Sequence, residues 1–346
     1  MTTLILGASG IIGRAHLQAL ACNPDATVIA ASRKPEANLP ANIIPYPVDL
    51  FEQDAADPAP LADVTHAVYC AYIERLGGFE AQNGPNGELF AGAIRLIERC
   101  CPKLRHMTLL QGNKAYGSHL GPFKTPAKET DPRIPEGHFY YDQHDMMAQA
   151  GERLGFDWTI LRPHVVIGPS TNSPMNLMAV LGAYASIQKA KGEPLAFPGP
   201  DAAFRAIYQA SDVDLLSKSI KWAGEAQIAA GEIYNITNGD YFRWENVWDD
   251  IAALFDMNPA PPADIKLTET MADAGPIWSA LAAEHGLKTP DLSFVSWGFA
   301  DYVFGTTWDV MSDATKLRRH GLVEFVDSEQ MLQDRLTELR TLKIIP

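Results

Sequence analysis

Through the first half of the chain, short apolar runs alternate with longer stretches in which apolar residues recur every three to four positions. That is the pattern of strands each followed by an amphipathic helix, the βαβ unit of a parallel sheet. Strands are expected at residues 3–6, 27–31, 43–48, 66–71, 106–110 and 158–161. Helices are expected over 11–22, ended by Asn23-Pro24, over 87–101, ended by Pro102, and over 138–154. Beyond Gly168 the pattern loosens. A long apolar helix over 175–191 ends at Gly192, and a Pro/Gly-rich stretch covers 195–200. A helix is expected over 212–222, an apolar run at 233–236 returns to the sheet, and a helix follows over 244–255. The tail is mostly helical, jointed at Pro259, Pro261 and Pro262. The expected fold is α/β, a Rossmann-type doubly wound parallel sheet from residues 1–168 and 206–250. A smaller, mostly helical substrate lobe comes from 169–205 and 251–346.

The 346-residue chain is 47% hydrophobic and 20% charged, ample for a large core. Its net charge of −14 repels phosphate backbones and anionic lipids, which argues against nucleic-acid and membrane partners. No apolar run approaches the ~18 residues that span a bilayer, and Met1-Thr2-Thr3-Leu4 leads straight into a strand without a basic leader. A cytoplasmic location is the expectation. Cys22, Cys70, Cys100 and Cys101 form no Cys-x-x-Cys pair and read as reduced thiols, with no metal site.

The first strand runs into Gly7-Ala8-Ser9-Gly10-Ile11-Ile12-Gly13, which opens the first helix. Gly-x-x-Gly-x-x-Gly between a strand and a helix supplies a tight turn, close backbone approach to a pyrophosphate and close helix packing, with helix-terminal amides for the phosphates. Gly7, Ser9, Gly10, Ile11, Ile12 and Gly13 are therefore expected to hold a dinucleotide. An NAD enzyme places Asp or Glu at the end of the second strand. Here that strand ends Ala31-Ser32-Arg33-Lys34, where Ser32 and Arg33 suit a 2′-phosphate, so NADPH is the expected cofactor. Asp49, with Leu50, follows the third strand and suits either the adenine amino group or the cap of the next helix.

The spacing is that of short-chain dehydrogenases, which pair Tyr with Lys four residues on. No tyrosine of this chain has that partner; in His138-Phe139-Tyr140-Tyr141-Asp142-Gln143-His144, His144 stands where lysine would. Lys114, in Gly112-Asn113-Lys114-Ala115-Tyr116 after the fifth strand, is placed to approach a nicotinamide ribose. His144, one turn beyond Tyr140, reads as either a polar helix-surface residue or a proton relay.

These pieces together resemble the progesterone 5β-reductase/iridoid synthase-like (PRISE) reductases, an atypical branch of the extended short-chain dehydrogenases. The resemblance rests on residues 112–116, Gly121-Pro122-Phe123, Phe139-Tyr140-Tyr141-Asp142 and Arg162-Pro163 with Val166-Ile167-Gly168. It extends through Met175-Asn176-Leu177, Phe197-Pro198-Gly199, Ser211-Asp212-Val213-Asp214-Leu215, residues 234–240 and the closing Lys343-Ile344-Ile345-Pro346. It implies catalytic Lys114 and Tyr140, both also touching cofactor, and the stretch from Arg162 to Val166, with Pro163 and Val166, along the nicotinamide. It also implies NADPH-dependent reduction of the C=C bond of an α,β-unsaturated ketone or aldehyde. Tyr72, in place of the family's Trp, and Phe123 are expected in the substrate pocket, and Trp297 is a further aromatic candidate. Ala115 replaces a family His, and the loop between Lys114 and Tyr140 is shorter, so the substrate departs more than the reaction. The expected partner is a small apolar enone, with a homodimer as one assembly. Open alternatives are a carbonyl reductase, a nucleotide-sugar epimerase or dehydratase, and a non-catalytic NADP-binding regulator of the NmrA type.

Overall fold

The computed structural model describes residues 1–36, 39–75 and 80–346. In the first unit, β1 (Thr2–Leu6), α1 (Ile11–Ala21), β2 (Thr27–Ser32) and β3 (Ile43–Pro47) are followed by β4 (His66–Tyr69) and α2 (Asn83–Cys100). Next come β5 (His106–Leu110), α3 (Phe139–Leu154) and β6 (Asp157–Pro163). After β7 (Val165–Ile167), α4 (Leu177–Lys191) and β8 (Ala210–Asp212), α5 (Val213–Glu225) and β9 (Glu232–Ile236) return to it. Seven strands form one sheet in the order β9-β6-β5-β4-β1-β2-β3, and every pairing is parallel. The strand order reverses between β1 and β4, the switch point at which such sheets bind ligands beyond the strand C-termini. This is the doubly wound Rossmann sheet expected from the alternation.

The pleat divides the core. Leu4, Leu6, Ile29 and Ala31 face one layer with Phe90, Ile94 and Ile97 of α2 and Met147 of α3. Ile5, Val28 and Ala30 face the other with Leu17 and Leu20 of α1. Both faces are covered, so the strands read as continuous apolar runs. Helix α2 begins one turn before the expected residue 87. Its first turn, Asn83-Gly84-Pro85-Asn86, has the composition of a loop, but proline costs nothing where amides lack intrahelical partners. The fully buried Asn86 repays that start by clasping Ile73 through both its N–H (3.0 Å) and its C=O (2.8 Å).

The second unit comprises Val165–Asp212, Thr237–Ser312 and Glu324–Pro346. Its α4 is buried from Leu177 to Ile187 and capped by Asn176, whose Oδ1 accepts from Met178 and Ala179. Trp244 and Trp248 of α6 (Trp244–Leu254) pack with Phe197 and Phe304 at ring separations of 5.2–6.3 Å. Ile344 and Ile345 are buried, and Ile345 lies against Gly182 of α4.

The units divide the chain differently from the boundaries drawn on the sequence. Residues 165–168, 206–212 and 237–250 fall in the second unit, where Asn238 Oδ1 accepts from Asp212 N at 2.8 Å and Asn238 N donates to Ala210 O. Residues 313–323 return to the first, because the outer edge of β9 needs partners. Lys316 Nζ donates to Glu232 at 2.6 Å and to Ile233 O at 2.8 Å. Among the described residues no helix is long and apolar enough to cross a membrane. Cys22, Cys70, Cys100 and Cys101 are all unbridged thiols.

Candidate active site

The glycine turn lies at the C-terminal end of β1. Gly7, at φ +94°, directs its amide and that of Ala8 to Ala31 O of β2, both at 3.1 Å. A Cβ on Gly7 would lie 2.7 Å from Ala71 N, and one on Gly13 would lie 2.3 Å from Gly7 O. Neither position admits a side chain, so at Gly7 and Gly13 the turn presents bare backbone. Gly10 precedes the first turn of α1, which holds Ile11, Ile12 and Gly13, and Ser9 lies inside the turn. Ser32 ends β2 half-buried, and Arg33 and Lys34 follow it exposed. Arg14, not singled out from the sequence although it directly follows Gly13, pairs with Glu36 at 3.0 Å just beyond them. Asp49 caps a turn by accepting from Phe51 N at 3.0 Å. The carbonyl of its buried neighbour Leu50 occupies the place a Cβ of Gly92 would fill.

Lys114 sits in a short 3-10 turn, Asn113–Tyr116, directly after β5. Tyr140 sits in the first turn of α3. The fold brings them to the same strand end, although 26 positions separate them. A Cβ on Gly112 would lie 3.2 Å from Tyr140 Oη and 3.6 Å from Pro163 O, so the hydroxyl hangs over the end of β5 beside the end of β6. Tyr141 fastens the two elements together. Its hydroxyl donates to Ala115 O at 2.7 Å and accepts from Ile134 N at 2.8 Å. Tyr141→Phe is expected to strand both backbone groups and to lower the unfolding free energy by about 1–3 kcal/mol. Urea denaturation checks this, and an unchanged midpoint would count against the clasp.

A buried polar lattice supports the turn. Tyr116 Oη donates to Asn235 Oδ1 at 2.7 Å, and Asn235 also engages Glu129, Ala127 and Asp313. Arg162 Nε donates to Gln111 Oε1 at 3.1 Å, and Gln111 Nε2 donates to Tyr140 O at 2.6 Å. His138 caps α3 by accepting Tyr140 N–H on Nδ1 at 3.0 Å. An amide only donates, so the neutral ring carries its proton on Nε2.

Burial, opposed by Glu74, lowers the Lys114 ammonium from its ordinary range. Burial and the Lys114 charge bring His119 down to about 4. His138 falls to about 3 through burial, His119, Lys114 and Arg162. These rings are uncharged at neutral pH. His144 packs edge-on against Trp158 at 5.4 Å and lies 3.3 Å from Arg133 Nη2, a packing position rather than that of a missing lysine.

Tyr72 is 40% exposed, with its ring 6.3 Å from that of Phe139, next to Tyr140. The segment carrying it is held by Asn86 and by Gln82, which bonds both backbone groups of Arg75. Neither clasp was legible as a sequence motif. Phe123, in the chain segment that links the Lys114 turn to α3, is half-buried. Val166 on β7 and Trp297, the first residue of an eight-residue helix, belong to the second unit. No group of three or more metal-ligating side chains is found among the described residues.

The parallel sheet and the glycine turn define a Rossmann-fold protein, and the chain shares that fold with sugar-nucleotide enzymes. UDP-glucose 4-epimerase from Thermotoga maritima superposes with a TM-score of 0.68 at 15% identity, covering 99% of each chain. UDP-N-acetylglucosamine 4-epimerase from Bacillus cereus gives 0.68 at 15%, covering 100% and 99%. The profile of the PRISE-like Rossmann-fold domain matches residues 49–346, and the chain belongs to that family. It is 31% identical to an (S)-8-oxocitronellyl enol synthase of Camptotheca acuminata over 99% of this chain and 93% of the relative. A 3-oxo-Delta(4,5)-steroid 5-beta-reductase of Arabidopsis thaliana is 30% identical over 99% and 92%.

Proposed function

We propose that this protein is an NADPH-dependent reductase of activated C=C bonds, acting on α,β-unsaturated ketones or aldehydes. The observation that carries the reading is the convergence of Tyr140 Oη with the Lys114 turn at the end of β5, in a chain without Tyr-x-x-x-Lys. The relatives' names support it. One acts on a 3-oxo-Δ4,5 steroid, a ketone conjugated to the bond it reduces, and another is named for an enol product.

The turn of Gly7, Gly10 and Gly13 would hold a pyrophosphate, and Gly7 and Gly13 admit no Cβ that could intrude. Ser9, Ile11 and Ile12 would complete it, Ser32 and Arg33 would take a 2′-phosphate, and Asp49 and Leu50 would border the adenine. Pro163, at the end of β6, would line the nicotinamide. NADPH, when bound, supplies the hydride that forms a new C–H bond at the β-carbon of the enone. The π electrons of the C=C bond then shift toward the carbonyl oxygen. Tyr140 would hydrogen-bond that oxygen and transfer its phenolic proton to it, stabilising the charge as it develops. The resulting enol returns to the saturated carbonyl in water, which also reprotonates Tyr140. Lys114 would orient the ribose hydroxyls and favour the ionised phenol. Tyr72 and Phe123 would offer apolar surface to a small substrate.

Arg33→Ala is expected to weaken NADPH binding roughly 10–100-fold, the worth of one charge-assisted bond to phosphate, and to leave NADH within a few-fold. Fluorescence titration with each nucleotide decides it. Equal losses for both would remove Arg33 from the 2′-phosphate site.

A further inference from the structure

Arg162 is a buried cation whose charge the reaction above leaves unused. It stands next to the last residue of β6, is 5% exposed, and has no carboxylate within 4 Å among the described residues. Buried charges are ordinarily paired, because desolvation is costly. Its guanidinium lies over the Tyr116 ring, 5.1 Å from the centroid, and Tyr116 is itself fixed by Asn235. Arginine only donates, so its Nε–H forces the carbonyl of Gln111 to face it. The amide of Gln111 is thereby turned onto Tyr140 O at 2.6 Å. His138 Nδ1 takes Tyr140 N–H from the other side, with the two rings 4.2 Å apart. Side chains therefore hold both backbone polar groups of Tyr140, and Arg162 sets one of them.

Arg162 and Lys114 are the cations of these surroundings, and Arg162 also faces the Tyr116 phenol. His138 and His144 on α3 are shifted down by burial first and by Arg162 among their neighbours, and His119 by burial and Lys114. Glu74, after β4, opposes Lys114, and Glu129 is engaged with Asn235 N.

We propose that Arg162 is a positioning residue for Tyr140. Through Gln111 it fixes the first turn of α3, and its buried charge favours release of the phenolic proton to the carbonyl oxygen. The inference rests on the role assigned to Tyr140 above.

The test follows NADPH-dependent reduction of 2-cyclohexen-1-one from about pH 6 to 10, with NADPH affinity measured separately by fluorescence. Arg162→Met is expected to lower kcat on the order of 10–100-fold, with KM and NADPH affinity within a few-fold. Its alkaline limb should move up by about one pH unit, because a nearby cation favours the ionised phenol. Arg162→Lys should restore the limb, and Gln111→Leu should lower kcat with the limb in place. If Tyr140→Phe is inactive while Arg162→Met keeps wild-type kcat and limb, this inference alone is overturned. A fully active Tyr140→Phe overturns both it and the role of Tyr140. Should Arg162→Met fail to fold, Gln111→Leu decides, and a wild-type kcat there overturns the positioning role.

Discussion

Tyr140→Phe is expected to slow NADPH-dependent enone reduction on the order of 10²–10³-fold, the usual loss when one donor to a developing oxyanion is removed. The substitution deletes only Oη, which lies over Gly112 at the end of β5. The backbone bonds of Tyr140 to Gln111 and His138 do not involve the hydroxyl, so the helix start should stand. NADPH affinity should change little, and the defect should fall on kcat. Lys114→Met is the complement, because the lysine is assigned to the ribose, and it should weaken NADPH binding as well as turnover. Stopped-flow hydride transfer together with nucleotide titration separates the two. A Tyr140→Phe protein with wild-type turnover would remove the residue from the mechanism, and an unaffected Lys114→Met would do the same for the lysine.

Mild acid is expected to cost this protein much of its stability. His16, on α1, and His106, on β5, lie deep in the first unit, 3% and 6% exposed. His16 bonds Ser217 at 2.9 Å across the α1–α5 contact, and His106 bonds Thr159 at 3.0 Å. Burial lowers both to about 4, with His66 adding to the effect on His106. In the unfolded chain these rings protonate near 6.5. Between those values the unfolded state binds protons that the folded state does not. Stability is therefore full above about pH 6.5 and falls as the pH drops toward 4. Each ring contributes on the order of 3 kcal/mol to the loss. Two such losses already rival the ~5–15 kcal/mol that holds a domain folded. The net charge of −14 works the other way, since acid relieves repulsion, but that long-range effect is screened at ~0.15 M salt. Urea midpoints at pH 7.5, 6 and 5 should fall steeply, and His16→Gln should flatten the slope by about one proton. Equal midpoints at pH 7.5 and 5 would contradict the buried neutral state.

The strands and most helices were legible because their signal is local. β5 falls at 106–110, as the apolar run predicts, and β9 returns to the sheet edge from the run at 233–236. The start of α2 was not legible, because Asn83-Gly84-Pro85 resembles a loop until Asn86 clasps Ile73. The edge cover at 313–323 was missed for a related reason. Its partners, Glu232 and Asn235, lie some 80 residues earlier, and one short ion pair leaves no periodic trace.

By itself the sequence determined the doubly wound sheet and the glycine turn between β1 and α1, since period, turn chemistry and motif order are properties of neighbouring positions. Only the tertiary structure decided how the Lys114 turn and Tyr140 come to the same strand end. Tyr141 ties Ala115 to α3, Gln111 reads the orientation of Arg162, and Asn235 anchors Tyr116 from 119 positions away. Each of these bonds depends on the distance and angle between groups that only a parallel sheet brings side by side, so no spacing along the chain encodes them.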